Sequence, residues 1–265
     1  MRQFADERHP ANGRTNRART VRLTRVYVED DLIPGSVLEL PPDTTSHLVQ
    51  VLRARSGDEL ILFNGDGREF SGAIQTARGS RVSVAVGDAR TVDRESPFAI
   101  TLVQCVPRGD RMDFIVQKAT ELGVARIVPV LSQRSVVRLD KAQAQSKAAH
   151  WRAVAVSACE QCGRNRIPAV EPPRPLLNYL GESAAGRGSK LVFEPDSAAA
   201  ALPVAPARGG AVEIAIGPEG GFAADELEAF RVAGYSRVGL GPRVLRAETA
   251  AIAAVVWLQA RCGDM

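Results

Sequence analysis

The sequence predicts an α/β protein in two parts, a small β-rich module followed by a larger domain built on a parallel sheet. Three observations carry this reading. Between residues 21 and 92, short runs such as "RVYV", "ELILFN" and "RVSVAV" are separated by turn residues, the pattern of half-buried strands. After the break "DRESP" at 93–97, fully apolar runs alternate with helical ones through residues 93–265, the pattern of parallel strands covered on both faces. The chain has 265 residues, 45% of them hydrophobic, enough for a small core beside a larger one.

Taken in order, residues 1–20, "MRQFADERHPANGRTNRART", have little to bury and read as a solvated, disordered Arg-rich tail; Asp6 and Glu7 argue against a transit peptide. The strands of the module follow as "RVYV", "SVLEL", "ELILFN", "FSGAI" and "RVSVAV". "NGDG" at 64–67 marks a hairpin, because Asn and Gly tolerate positive φ. The stretch "SHLVQVLRA", Ser46 to Ala54, is the module's helix, with Ser46 as its cap and Leu48, Val51 and Leu52 on one face. In the second part "FAITLVQCV" is a strand, "DRMDFIVQKATELGV" a helix, "RIVPVL" a strand and Asp140 to Cys162 a long helix. "KLVFEP", "AVEIAIG" and "RVGLG" supply further strands, the last two followed by helices; "GESAAGRGS" and "LPVAPARGG" are loops. The last helix, "AAIAAVVWLQA", is apolar nearly all round, so it belongs in a core or against another subunit.

Composition narrows the function. No apolar run is long enough for a membrane span and the N-terminus lacks a secretory apolar segment, which predicts a cytoplasmic protein with no membrane partner. Cys105, Cys159, Cys162 and Cys262 invite a zinc reading, but His9, His47 and His150 stand apart from them and the CxxC of Cys159 and Cys162 lies inside a helical stretch, so no metal is expected. The formal charge is +4, and the basic residues are almost all arginine, with only Lys118, Lys141, Lys147 and Lys190 as lysines. That balance is compatible with a nucleic-acid partner without requiring one.

In open α/β sheets, ligands bind at the carboxyl ends of the strands. Two such loops are built alike here: "GPEGG" after "AVEIAI" and "GPRVLRAET" after "RVGL". Neither is a phosphate cradle, because no GxxxxGK[ST] or complete GxGxxG is present and the helix after "GPEGG" begins with Asp225 and Glu226. A nucleoside without phosphate and carrying positive charge fits better, with S-adenosylmethionine as the candidate; tight turns alone account for one isolated GPxGG equally well.

The stretches "HLVQVLRARSGDEL", "LFNGDG", "QKATELGV", "QRSVV", "EQCGRNRIP", "IGPEGGF" and "LGPRVLRAETA" occur in this order. With them the chain resembles the ribosomal RNA small subunit methyltransferase E family, of the SPOUT superfamily. The resemblance covers almost everything after residue 20. It implies an N-terminal PUA-like β-barrel that binds RNA, a C-terminal SPOUT-type α/β domain with a trefoil knot, and a homodimer. It further implies methyl transfer from S-adenosylmethionine to N3 of a uridine in 16S rRNA, within the 30S subunit. A SPOUT enzyme acting on another rRNA base or a ribose 2′-hydroxyl is the rival reading. By motif match the cofactor residues are Glu194, Gly217, Pro218, Glu219, Gly220, Gly221, Leu240, Gly241, Leu245, Arg246, Thr249 and Ala250. Where the family loop continues "GGFS", this chain has Ala223, which removes a helix cap.

Methylation at uridine N3 needs the N3 proton removed, negative charge on the uracil oxygens stabilised, and the reactants aligned. Arg246, Arg134 and Glu160 are the catalytic candidates. For Glu160 the competing reading is an i, i+4 ion pair with Arg164; for Arg134 and Arg164 it is a phosphate contact. Arg22, Arg25, His47, Arg53 and Arg55 are the candidate RNA contacts of the barrel, positioning rather than reading sequence. Lys118 and Glu121 either stabilise the central domain or line the cleft.

Overall fold

The computed structural model describes residues 23–79, 81–182, 188–195 and 209–265. The N-terminal tail, Arg22 and most of the two Gly/Ala/Pro-rich loops lie outside the described residues.

The first sheet contains β1 (Thr24–Tyr27), β2 (Val37–Glu39), β3 (Glu59–Phe63), β4 (Arg68–Arg78) and β5 (Arg81–Thr91). Their order is β1-β3-β4-β5-β2, with β1 parallel to β3 and the other pairs antiparallel. "NGDG" turns β3 into β4: Gly65 and Gly67 take φ of 94° and 101°, the region glycine enters without penalty. The Asp66 carboxylate accepts the Arg68 amide at 2.7 Å. Alternation along β4 and β5 sends Phe70, Ile74, Val82, Val84 and Val86 into a core shared with Val26, Leu48 and Leu62.

The helix of this module begins four residues before its expected start. α1 spans Pro42–Ser46 and runs on as a wide π-type turn over His47–Val51. Ser46 is helical and caps nothing; Pro42 opens the helix because its fixed φ and missing N–H suit the first turn. Leu48 is buried, but Val51 and Leu52 are exposed, since the wider turn rotates them off the face a 3.6-residue period assigns.

The second sheet is all parallel: β6 (Ala99–Cys105), β7 (Arg126–Leu131), β8 (Ala169–Val170), β9 (Arg174–Pro175), β10 (Ser189–Phe193), β11 (Ala211–Ile216) and β12 (Ser236–Val238). Its order is β12-β10-β11-β6-β7-β8, with β9 also on β7. The helices are α2 (Arg111–Glu121), α3 (Lys141–Cys162), α4 (Leu176–Glu182), α5 (Ala224–Val232) and α6 (Ala247–Cys262). Successive residues of β6 face opposite cores. Ile100 and Leu102 pack with Ile115, Trp151 and Leu258 on one side; Val103 and Cys105 pack with Leu180 and Phe230 on the other. Both faces are therefore covered, which is why these strands read as unbroken apolar runs. α6 buries Ala251, Ala254, Val255 and Leu258, while Ile252, Val256 and Trp257 are half-exposed.

α3 carries a capping box at Asp140, whose carboxylate accepts the Gln143 amide at 2.8 Å. It ends at Gly163, φ 94°, a left-handed stop that turns the next residues back under the barrel. There Arg25, only 8% exposed, donates to Glu69 (2.8 Å), the Arg164 carbonyl (3.2 Å) and Asn165 Oδ1 (2.5 Å). Arg164, 3% exposed, pairs with Glu95 at 2.5 Å and donates to the carbonyls of Thr120 and Val124. These bonds tie the first sheet to the second.

Candidate functional site

β12, β10 and β11 are neighbours and parallel, so their carboxyl ends emerge side by side. The segments that follow them, Glu194–Pro195, Gly217–Gly221 and Leu240–Leu245, line one open cleft, with Phe193, Ile216, Ala247 and Ala250 completing it. The walls are apolar side chains and bare backbone. Gly241, at φ 100°, and Gly221, at φ 67°, hold turns that L-residues rarely adopt. At Gly217 a Cβ would meet the Phe222 ring at 3.2 Å.

The charges of the cleft are Glu194, Glu219 and Arg243. The adjoining helix N-terminus offers nothing to a phosphate. Glu226, 1% exposed, sits at the third position of α5 and accepts the Ala223 amide through Oε2 and the Gln133 amide through Oε1, both at 2.8 Å. Asp225 accepts the Gln133 side-chain amide. Ala223 has no acceptor of its own, so only the reach-back half of a capping box is present, and the dipole is already answered by internal carboxylates. The donor set thus fits a nucleoside that carries no phosphate and bears positive charge.

The loop after β7 clasps this site. Arg134 is exposed and donates from Nη1 to the Gly220 carbonyl at 2.9 Å, while Ser132 and Ser135, both buried, bond to each other at 3.1 Å. From the first position of α2, Arg111 reaches Glu219 Oε1 at 2.7 Å.

Of the residues the motifs pointed to, Glu194, Gly217, Pro218, Glu219, Gly221, Leu240, Gly241, Leu245 and Ala250 line the cleft. Gly220 sits behind it against Arg134. Arg246, the residue before α6, and Thr249 are exposed and outside the lining. Glu160 is elsewhere, in a separate cleft between the barrel and α3 that also contains His47 and Arg25. Its Oε1 accepts the Tyr27 amide at 3.0 Å, and burial pushes its carboxyl above the usual range. The i, i+4 pair with Arg164 does not form, because the chain leaves the helix at Gly163 and Arg164 turns to Glu95.

Arg25 and Arg164, expected as RNA contacts, are buried, with their guanidinium groups among carboxylate and carbonyl acceptors. His47, Arg53 and Arg55 are exposed, and Arg53 is the non-glycine residue with positive φ, 54°, among the described residues. Lys118 and Glu121 pair with each other at 2.8 Å on α2. Sequence reasoning missed Arg111, Arg243, Val244 and Phe193. The first lies in "PRGDR" directly after an apolar strand, the one signal that marked it.

No metal-holding cluster of His, Cys, Asp or Glu occurs among the described residues, and no described helix is long and apolar enough to cross a membrane.

A parallel sheet with a phosphate-free nucleoside cleft, joined to a small barrel, defines an RNA methyltransferase with a PUA domain: residues 94–259 match the RNA methyltransferase domain and residues 40–86 the RNA methyltransferase PUA domain. Relatives from Buchnera aphidicola and Bacillus subtilis, both named ribosomal RNA small subunit methyltransferase E, are 33% and 30% identical over 92% and 89% of this chain, and over 98% and 93% of their own. The chain belongs to the ribosomal RNA small subunit methyltransferase E family. A putative methyltransferase from Legionella pneumophila, solved with bound SAM, superposes with a TM-score of 0.87 at 40% identity, covering 92% of this chain and all of that one. The family member from Neisseria gonorrhoeae, bound to S-adenosyl methionine, gives 0.84 at 36%, with the same coverage of both chains.

Proposed function

We propose that this chain transfers a methyl group from S-adenosylmethionine to N3 of a uridine in 16S rRNA, in the cytoplasm and on the 30S particle. The observation that carries the reading is the cleft itself: three adjacent strand ends supply glycine-exposed backbone and two carboxylates, and no group suited to phosphate at the nearest helix. Residues 21–92 are the RNA-binding domain, and residues 93–265 are the knotted catalytic domain. The half-exposed Ile252, Val256 and Trp257 on α6 support a homodimer.

The bound cofactor supplies an electrophilic methyl carbon on a sulfonium. The chain's own part is largely alignment and charge. Main-chain groups at Gly217–Gly221 and Leu240–Gly241 would hold the cofactor, and the carboxylates of Glu194 and Glu219 would favour its positive charge. Fixing two reactants in attack geometry lowers the barrier by on the order of 7 kcal/mol or more. To Arg246, exposed beside Leu245 and Ala247, we assign the stabilisation of negative charge on the uracil oxygens as N3 gives its proton to solvent. Arg134 holds the Gly220 carbonyl and with it the loop's shape. Glu160 is not given the role of base, because it lines the other cleft.

The test is deletion of the gene followed by digestion of 16S rRNA and mass spectrometry of its nucleosides. Loss of 3-methyluridine, restored by the wild-type gene, is the expected result. Persistence of 3-methyluridine with loss of a different methylated nucleoside overturns the choice of base.

A further inference from the structure

Arg111 opens α2 at the carboxyl end of β6, and its guanidinium lies between two carboxylates from different parts of the chain. Nη1 is 2.7 Å from Glu219 Oε1, in the loop after β11. Nε is 3.9 Å from Glu248 Oε1, in the first turn of α6. Glu219 lines one wall of the cofactor cleft; Glu248 stands between Ala247 and Ala250, which line another.

Two features make this more than a surface ion pair. The Glu248 side chain is 18% exposed, and its Oε2 is buried with no hydrogen-bond partner, a costly arrangement that a neighbouring cation offsets. The Glu219 side chain, in contrast, is 37% exposed and stands in the cleft lining, where the bond to Arg111 restrains it. The planar guanidinium hydrogen-bonds Glu219 and stays within ion-pair distance of Glu248, so one group faces both carboxylates.

We infer that Arg111 is a positioning residue for the cofactor site: it ties the Gly217–Gly221 loop to the start of α6, with Glu248 as its anchor, and so sets the cleft for S-adenosylmethionine before the cofactor arrives. The inference rests on the cofactor reading above. It does not make Arg111 a catalytic residue, because its contacts are to other residues of the site.

Titration calorimetry of full-length protein with S-adenosylmethionine tests it, using Arg111→Ala, Arg111→Lys, Glu248→Gln and the Arg111→Ala/Glu248→Gln pair. Arg111→Ala should weaken Kd about three- to tenfold, as expected when loop preorganisation and one partly exposed ion pair are removed. Its melting temperature should stay within about 2 °C of wild type. Arg111→Lys, which keeps the charge but not the fork, should recover part of the affinity. The double variant should lose less than the sum of the single losses, the mark of coupled residues. Wild-type affinity in Arg111→Ala overturns the inference. So does a loss in which affinity and melting temperature fall together with no recovery in Arg111→Lys, because that is the behaviour of a merely structural residue. Absence of binding by the wild-type protein sinks the cofactor reading itself, and with it this inference, and is thereby told apart from failure of Arg111 alone.

Discussion

Arg134 donates to the carbonyl oxygen of Gly220 at 2.9 Å, linking the loop after β7 to the loop after β11 across the strand between them, since β6 separates β11 from β7. The bond is exposed, so its net value is about 0.5–1.5 kcal/mol. Arg134→Ala should weaken cofactor binding about two- to tenfold by that range and leave the melting temperature near wild type. Calorimetry and a thermal melt check both. An unchanged Kd would show that the loop keeps its shape unaided.

Adjacent glycines in that loop should behave differently. Gly221 has φ 67°, whereas a Cβ at Gly220 would make ordinary contact with Arg134 at 3.6 Å. Left-handed backbone costs an L-residue roughly 1–2 kcal/mol. Gly221→Ala should therefore weaken cofactor binding about tenfold, and Gly220→Ala hardly at all. Equal effects of the two substitutions would remove backbone conformation as the reason for the second glycine.

The "GPEGG" and "GPRVLRAET" loops were legible in the sequence because glycine and proline directly after apolar strands say where a backbone turns. The strands of the second sheet were legible for a related reason: burial on both faces leaves "FAITLVQCV" and "AVEIAI" without polar interruption. What sequence could not supply was partnership across the chain. Arg164 in "EQCGR" has the appearance of an exposed basic residue, yet its partner Glu95 is 69 residues away. Arg111 was passed over because its carboxylates lie more than a hundred residues downstream. The π-type turn at His47–Val51 defeated a 3.6-residue period, and β8, β9 and α4 were missed because two- and seven-residue elements set among the prolines of "IPAVEPPRP" leave almost no periodic signal.

Arg164→Ala should act on stability. The guanidinium side chain is 4% exposed and pairs with Glu95, itself 21% exposed, and two backbone carbonyls are deprived of their donor with it. Removing one partner of a buried pair costs about 3–5 kcal/mol, less here because Glu95 keeps some water. A fall in melting temperature of about 5–15 °C is expected for a chain of this size. If the variant melts like wild type but loses RNA affinity, Arg164 is an RNA contact after all.

Arg53 and Arg55 make the opposite prediction. Both are exposed, and Arg53 holds a left-handed φ of 54°, a conformation that costs of order 1 kcal/mol or more and clusters at functional sites. Arg53→Ala/Arg55→Ala should weaken binding to 16S rRNA fragments and reduce the slope of log K against log salt by about 1 for each phosphate no longer neutralised. An unchanged slope would clear both residues of phosphate binding.

Glu160 supplies a pH test whose sign is fixed by burial. Desolvation raises its carboxyl above the ordinary value of 4.5, against the Tyr27 amide and the charges of His47 and Arg25, which favour the ionised form. A carboxyl raised on folding binds its proton more tightly in the native state, so its contribution is complete below about pH 4.5 and is lost as pH rises through the folded value. Glu160→Gln keeps an oxygen to accept the Tyr27 amide and cannot ionise. The variant should match wild type near pH 4 and melt at a higher temperature at pH 7, and it should retain methyl transfer, because this carboxyl lines the cleft between barrel and α3 rather than the cofactor cleft. A Glu160→Gln protein that melts lower than wild type at pH 7 would mean that the ionised carboxylate is held by the nearby cations. One that folds normally but loses turnover, with cofactor affinity intact, would return Glu160 to the role of base and require the two clefts to meet in the working assembly.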